Sequence, residues 1–117
     1  MKEARHQVVP SVYLVAIRDN KILLGERQNT GYCDGYLGLP AGHIERGENP
    51  LQAIMREAKE EVDLTLTVEE IKFGAVMPRI TPDRECVDYF FIADVTGKNL
   101  QNNEPTKCKF WELLATS

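Results

Sequence analysis

Four glutamates are placed in a way that packing alone does not demand. Glu57, Glu60 and Glu61 stand at i, i+3 and i+4, and Glu48 precedes the first of them by nine positions. On a helix the first three share one face. Like charges at i, i+4 repel by ~0.2–0.5 kcal/mol per pair, and only Lys59 is close enough to neutralise them. A solvated face is the ordinary reading of a Glu-rich helix. Here the clustering makes better sense if a hard dication compensates it, because Mg²⁺ and Mn²⁺ prefer carboxylate oxygens.

A helix able to carry these groups is written into Asn49-Pro50-Leu51-Gln52. Asn suits the N-cap, Pro the first helical position, and Gln three residues after the cap completes a capping box. Leu51, Ile54, Met55, Ala58 and Val62 then recur at helical intervals as one apolar stripe. At about 100° per residue, Glu57 and Glu61 flank that stripe and Glu60 lies further round. Glu48 falls in the loop leading into the helix.

Gly42, five residues, Glu48, seven residues and then Arg56-Glu57-Ala58-Lys59-Glu60-Glu61-Val62-Asp63-Leu64 resembles the Nudix box. Both spacings and six of the seven fixed residues agree. Gly38-Leu39-Pro40-Ala41-Gly42-His43 and Gly31-Tyr32-Cys33-Asp34-Gly35 resemble the MutT-like branch of that family. Asp63 stands where the pattern has Gly, and Ala58 is a small version of its aliphatic position. Asp tolerates the left-handed conformation less well than Gly, so a helix end about 1 kcal/mol weaker is expected, with the chemistry intact.

With 117 residues the chain is expected to be a single domain, residues 1–117. A net charge of −4 argues against a nucleic-acid polymer as partner. A small anionic substrate fits if metal ions screen the acidic site. The apolar run Val12 to Ile17 is far shorter than the ~18 residues of a membrane span. Nothing reads as a signal peptide. Cys33, Cys86 and Cys108 are scattered and odd in number, as reduced thiols in a cytoplasm would be, and no zinc spacing is present.

From the start, Val8 to Ile17 reads as a central strand, Asp19-Asn20 as a two-residue turn and Lys21 to Arg27 as the returning strand of a hairpin. Gln28 to Tyr36 is a loop, Leu37 to Pro40 a short strand, and Ala41 to Glu45 a second loop. Leu64, Leu66 and Val68 alternate with threonines, and Ile71, Phe73, Ala75 and Met77 alternate again, so two half-buried strands are expected. Pro78 to Glu85 reads as a loop, Cys86 to Val95 as the most apolar strand, and Lys107 to Trp111 as a short last strand.

The resemblance implies an α/β fold: a Nudix-type α/β/α sandwich around a mixed sheet, covering roughly residues 8 to 114. It also implies metal-dependent hydrolysis of the diphosphate linkage in a nucleoside diphosphate derivative, with a nucleoside triphosphate as first choice. Mg²⁺ or Mn²⁺ would be held by Glu57, Glu60, Glu61 and the Ala41 carbonyl. Glu57, or else Glu60, would act as general base. Arg27 would bind a phosphate, its guanidinium matching one in a bidentate way, although an ordinary strand-end charge reads equally well. Gly42, Glu48 and Arg56 would support the site, with Arg56 pairing with Glu48. A nucleotide-binding module that does not cleave is the alternative, but it would ordinarily have lost a box glutamate. The isomerase branch of the fold is a remoter one, with Cys33 the only cysteine near the site. The chain ends where relatives carry a C-terminal helix over the other sheet face. That helix is expected to be absent or truncated, and the bared face covered in a homodimer or by the rest of a longer chain.

Overall fold

The computed structural model describes residues 5–115. Its elements are β1 (Val9–Arg18), β2 (Lys21–Arg27), β3 (Leu37–Gly38), β4 (Ala41–His43), α1 (Pro50–Val62), a 3₁₀ turn (Val68–Glu70), β5 (Ile71–Ile80), β6 (Glu85–Asp94) and β7 (Cys108–Ala115). One mixed sheet has the order β3-β2-β1-β6-β5, with β4 also on β1 and β7 also on β2. β1 lies at its centre and pairs in parallel with β6 along nine registers. Asp19 and Asn20 both have positive φ (50° and 61°), so the β1–β2 connection is the tight turn that matches strand twist.

That hairpin is closed only at its turn, through Ile17↔Ile22 and Arg18↔Lys21. Beyond it the two strands part. β4 takes over the edge of β1, β3 takes the edge of β2, and β7 lines the other side of β2. The segment from Leu37 to His43 is therefore a wedge in a split sheet. Leu14 N–H donates to Pro40 O at 2.9 Å across the wedge. The residues expected as a loop at Ala41 to His43 are thus a short strand, because β1 has an edge there that β2 has vacated.

Alternation along β1 sends Val12, Leu14 and Ala16, each 0% exposed, toward α1. Leu23, Phe91 and Ala93 join them from neighbouring strands, and Ala53, Ile54, Ala58 and Val62 come from the helix. Ala53 replaces Leu51 and Met55 as a deep member of the stripe, since those two are half-buried. Asn49 caps α1 as expected, accepting from Gln52 N–H while Gln52 Oε1 accepts from Asn49 N–H. At the other end Asp63 is left-handed (φ 56°, ψ 31°), and Leu64 N–H bonds back to Ala58 O at 3.1 Å. This is the usual helix stop, made with Asp where Gly costs least.

Three further expectations change. Leu64 and Leu66 are buried, yet residues 63–67 pair with no strand and Val68–Glu70 form the 3₁₀ turn. Their alternation comes from an extended segment packed under the helix end. β5 runs on through Pro78 to Ile80, and the loop shrinks to residues 81–84. Proline is tolerated there because β5 is an edge strand, paired with β6 alone. For the same reason β5 is less buried than expected, with Phe73, Met77 and Ile80 exposed. β7 extends to Ala115, beyond the expected Trp111.

The face opposite α1 carries Tyr13, Val15, Ile17, Ile22, Phe90 and Ile92, all half-buried. Tyr13 stacks on Phe90 with ring centroids 4.9 Å apart. Among the described residues no second α-helix lies on this face.

Candidate active site

α1 presents Glu57 and Glu61 one turn apart, and the wedge brings Ala41 and Gly42 over them. Ala41 N–H donates to Glu61 Oε2 at 3.1 Å. A Cβ placed on Gly42 would lie 2.1 Å from Glu57 Oε1, so glycine is required there for the carboxylate to lie against the backbone. The nine-residue reach from Glu48 to Glu57 serves Arg56, which sits between them. Its Nε and NH2 take Glu48 at 2.7 and 3.0 Å, a bidentate pair, while NH1 takes Glu57 Oε1 at 2.7 Å and Glu60 Oε2 at 3.2 Å. NH2 also donates to His43 O at 3.0 Å. The expected Arg56–Glu48 tie is present, and Arg56 fastens the wedge to the helix as well.

The electrostatics divide the carboxylates. Glu48 is held below the ordinary carboxylate range by its bonds from Arg56. Glu57 is pushed up by burial, with Arg56 acting against the rise. Glu61 is pushed up to about 9, first by burial and then by the charge of Glu57, with Ala41 N–H offsetting part of it. Glu60 is more exposed and turned to Arg56. The structure thus brings Glu57, Glu61 and Ala41 together and leaves Glu60 at the rim. Among the described residues no three acidic, His or Cys side chains are already gathered as a metal cluster. The donor set still suits a dication: two carboxylates share a largely buried site that raises the cost of their charge, under a glycine cradle that a methyl group would fill.

Arg27 sits at the end of β2 and lines a cavity of about 130 Å³ with Thr30, Ala41 and Glu61. Its Nε donates to Tyr32 O at 2.8 Å and its NH2 to Thr30 Oγ1 at 3.2 Å, and the guanidinium lies 5.5 Å from the centre of the Tyr32 ring. Two residues not anticipated from the sequence line the same cavity, Glu104 and Lys107. The segment before them caps the end of α1: Gln101 N–H donates to Val62 O and Asn103 N–H to Glu61 O, at 2.9 and 3.0 Å. That capping delivers Glu104 beside Glu61, whose proton affinity its charge helps to raise. Their only signal in the chain is a polar, turn-forming run, Asn102-Asn103-Glu104-Pro105, which carries no chemistry by itself. A larger groove of about 400 Å³ lies elsewhere, between β2, β7 and residues 98–102. Its cations are engaged, Arg18 by Val95 O and Lys98 O, and Lys98 by Glu70.

Gly42→Ala tests the cradle. Glu57 can swing aside, so the melting temperature should change little, whereas Mn²⁺ affinity read by calorimetry should fall roughly tenfold, the scale for disturbing a ligand's support. Unchanged affinity would show that Glu57 has no need of its place against Gly42.

Comparison with known proteins agrees with this geometry. The model of the NUDIX domain matches residues 8–116. An ADP-ribose pyrophosphatase of Methanocaldococcus jannaschii is 34% identical over 116 residues, covering 97% of this chain and 68% of the relative. The 8-oxo-dGTP diphosphatase of Escherichia coli is 29% identical over 84 residues, 72% of this chain and 64% of the enzyme. Among solved structures, a MutT/nudix family protein of Enterococcus faecalis superposes with a TM-score of 0.84 at 21% identity, covering 97% of this chain and 46% of that one. A MutT NUDIX hydrolase of Burkholderia pseudomallei superposes at 0.83 with 23% identity, covering 94% and 84%. The chain belongs to the Nudix hydrolase family, whose members act on phosphorus-containing anhydrides with the help of divalent metals.

Proposed function

We propose that this chain hydrolyses the diphosphate linkage of a nucleoside diphosphate joined to another group. The observation that carries the reading is the largely buried pair Glu57 and Glu61 against the Ala41–Gly42 backbone, with Glu61 lining a cavity that also holds Arg27. Retention of Glu57, Glu60 and Glu61 supports cleavage over binding alone. The sequence favours a nucleoside triphosphate, whereas the similarity to the archaeal ADP-ribose pyrophosphatase supports a nucleotide sugar.

Glu57, Glu60, Glu61 and the Ala41 carbonyl would hold Mg²⁺ or Mn²⁺, which would supply Lewis acidity at the diphosphate. The attacking water gives its proton to a glutamate as the P–O–P bond breaks, Glu57 first and Glu60 second in order of preference. Arg56, engaged on Glu57 Oε1, fixes that carboxylate and limits how far its proton affinity rises. Arg27, braced by Thr30 and Tyr32, takes a phosphoryl oxygen. The free thiols Cys33, Cys86 and Cys108 accord with a cytoplasmic setting, and no described helix is long and apolar enough to cross a membrane.

Nucleoside triphosphates, ADP-ribose, other nucleotide sugars and dinucleoside polyphosphates, incubated with Mg²⁺ or Mn²⁺ and resolved by chromatography, should show cleavage within the diphosphate of at least one class. Glu61→Gln should keep the fold and lower the rate at least ~10²-fold. No turnover by the wild type with either metal would favour a nucleotide-binding module.

The same reading includes a homodimer that covers the half-buried face around Tyr13, Val15 and Phe90. Light scattering at low micromolar concentration should return twice the chain mass. A stable monomer that binds no hydrophobic dye would contradict it.

A further inference from the structure

Lys107 is a cation at the cavity that belongs to neither the box nor α1. It is exposed, it lines the cavity with Arg27, Glu61 and Glu104, and among the described residues its amine has no acidic partner. The turn that presents it is closed on itself, with Lys107 N–H and Cys108 N–H both donating to Glu104 O, at 3.0 and 2.9 Å. It is also clasped to the loop after Arg27. Gln28 N–H donates to Lys107 O at 2.9 Å, Gln28 Nε2 to Pro105 O at 2.7 Å and Asn29 Nδ2 to Thr106 O at 3.0 Å. Asn29 adopts a left-handed φ of 57° at this point, a conformation that asparagine takes more readily than most side chains. An unpaired cation on a braced turn, beside a second cation braced by its own loop, is a preorganised anion site.

We propose that Lys107 is a second phosphate-binding residue, set beside Arg27 by the Gln28–Asn29 clasp so that the two cations together take up the diphosphate of the substrate. This deepens the hydrolase reading and rests on it. The cavity, at about 130 Å³, is well below the ~300 Å³ at which whole small-molecule ligands are enclosed. It therefore takes the diphosphate and leaves the nucleoside outside, near the exposed Tyr32 and Tyr36. Lys107 recognises charge common to every substrate of the class and does not discriminate the base.

The probe is inorganic pyrophosphate, titrated calorimetrically in Mg²⁺ buffer into the wild type, Lys107→Met and Lys107→Arg. The methionine variant keeps the aliphatic stem, so folding is unaffected. Roughly tenfold weaker binding is expected for Lys107→Met, with affinity largely restored in Lys107→Arg. In steady-state assays KM should rise by a similar factor for ADP-ribose and for a nucleoside triphosphate, with kcat little changed. Equal affinity in all three proteins, no pyrophosphate binding by the wild type, or a KM effect confined to one substrate overturns the proposal. Absence of turnover by the wild type on every substrate counts against the hydrolase reading instead, and the pyrophosphate titration still decides the role of Lys107.

Discussion

The structure depends on holding two carboxylates, Glu57 and Glu61, against each other and against backbone, both largely withdrawn from water. Burial is the leading cause of the rise in proton affinity at both, and no arrangement of packing alone would favour it. Arg56 is the counterweight. One guanidinium reaches Glu48, Glu57, Glu60 and the His43 carbonyl, so it neutralises the cluster on one side only. Glu61 makes no bond with it; its protein partners are an N–H of Ala41 and the neighbouring Glu57. That residual imbalance is what a divalent ion would settle.

The sheet makes room for this arrangement by coming apart. If β1 and β2 stayed paired along their length, nothing could enter between them. The hairpin parts beyond Ile17↔Ile22, and the wedge from Leu37 to His43 enters the gap, with Pro40 fully buried at its centre. Gly42 then meets the helix face edge-on. The split also opens the cavity, whose walls are the end of β2, the wedge, α1 and the turn before β7. Gly25 serves that closure, since a Cβ there would lie 2.6 Å from the Trp111 ring and 2.7 Å from Cys108 Sγ.

What was legible in the chain is local in its causes. Asn49, Pro50 and Gln52 satisfy one another within a single turn, and Asp19-Asn20 determines its own hairpin, so both could be read without knowing the rest. The box spacing reported the glutamates for the same reason. Leu64 and Leu66 misled because alternation marks an extended segment with one buried side, whether or not a strand pairs with it. Pro78 misled because the penalty for proline depends on which edge of the strand is paired, and pairing is tertiary information. Glu104 and Lys107 were invisible because they reach the site only when residues 101–103 cap the far end of α1. No periodicity in the sequence encodes that closure.

Thermal unfolding at neutral pH, in chelator and then with increasing Mn²⁺ or Mg²⁺, tests the central claim most directly. A dication that neutralises the Glu57–Glu61 pair binds the folded chain and not the unfolded one, so at a hundred times its dissociation constant it should add about 2.7 kcal/mol. For a domain of this size that corresponds to a rise of roughly ten degrees in the midpoint. The account predicts such a rise, saturating with metal and absent with an equal concentration of Na⁺. An unfolding midpoint indifferent to both dications would contradict it.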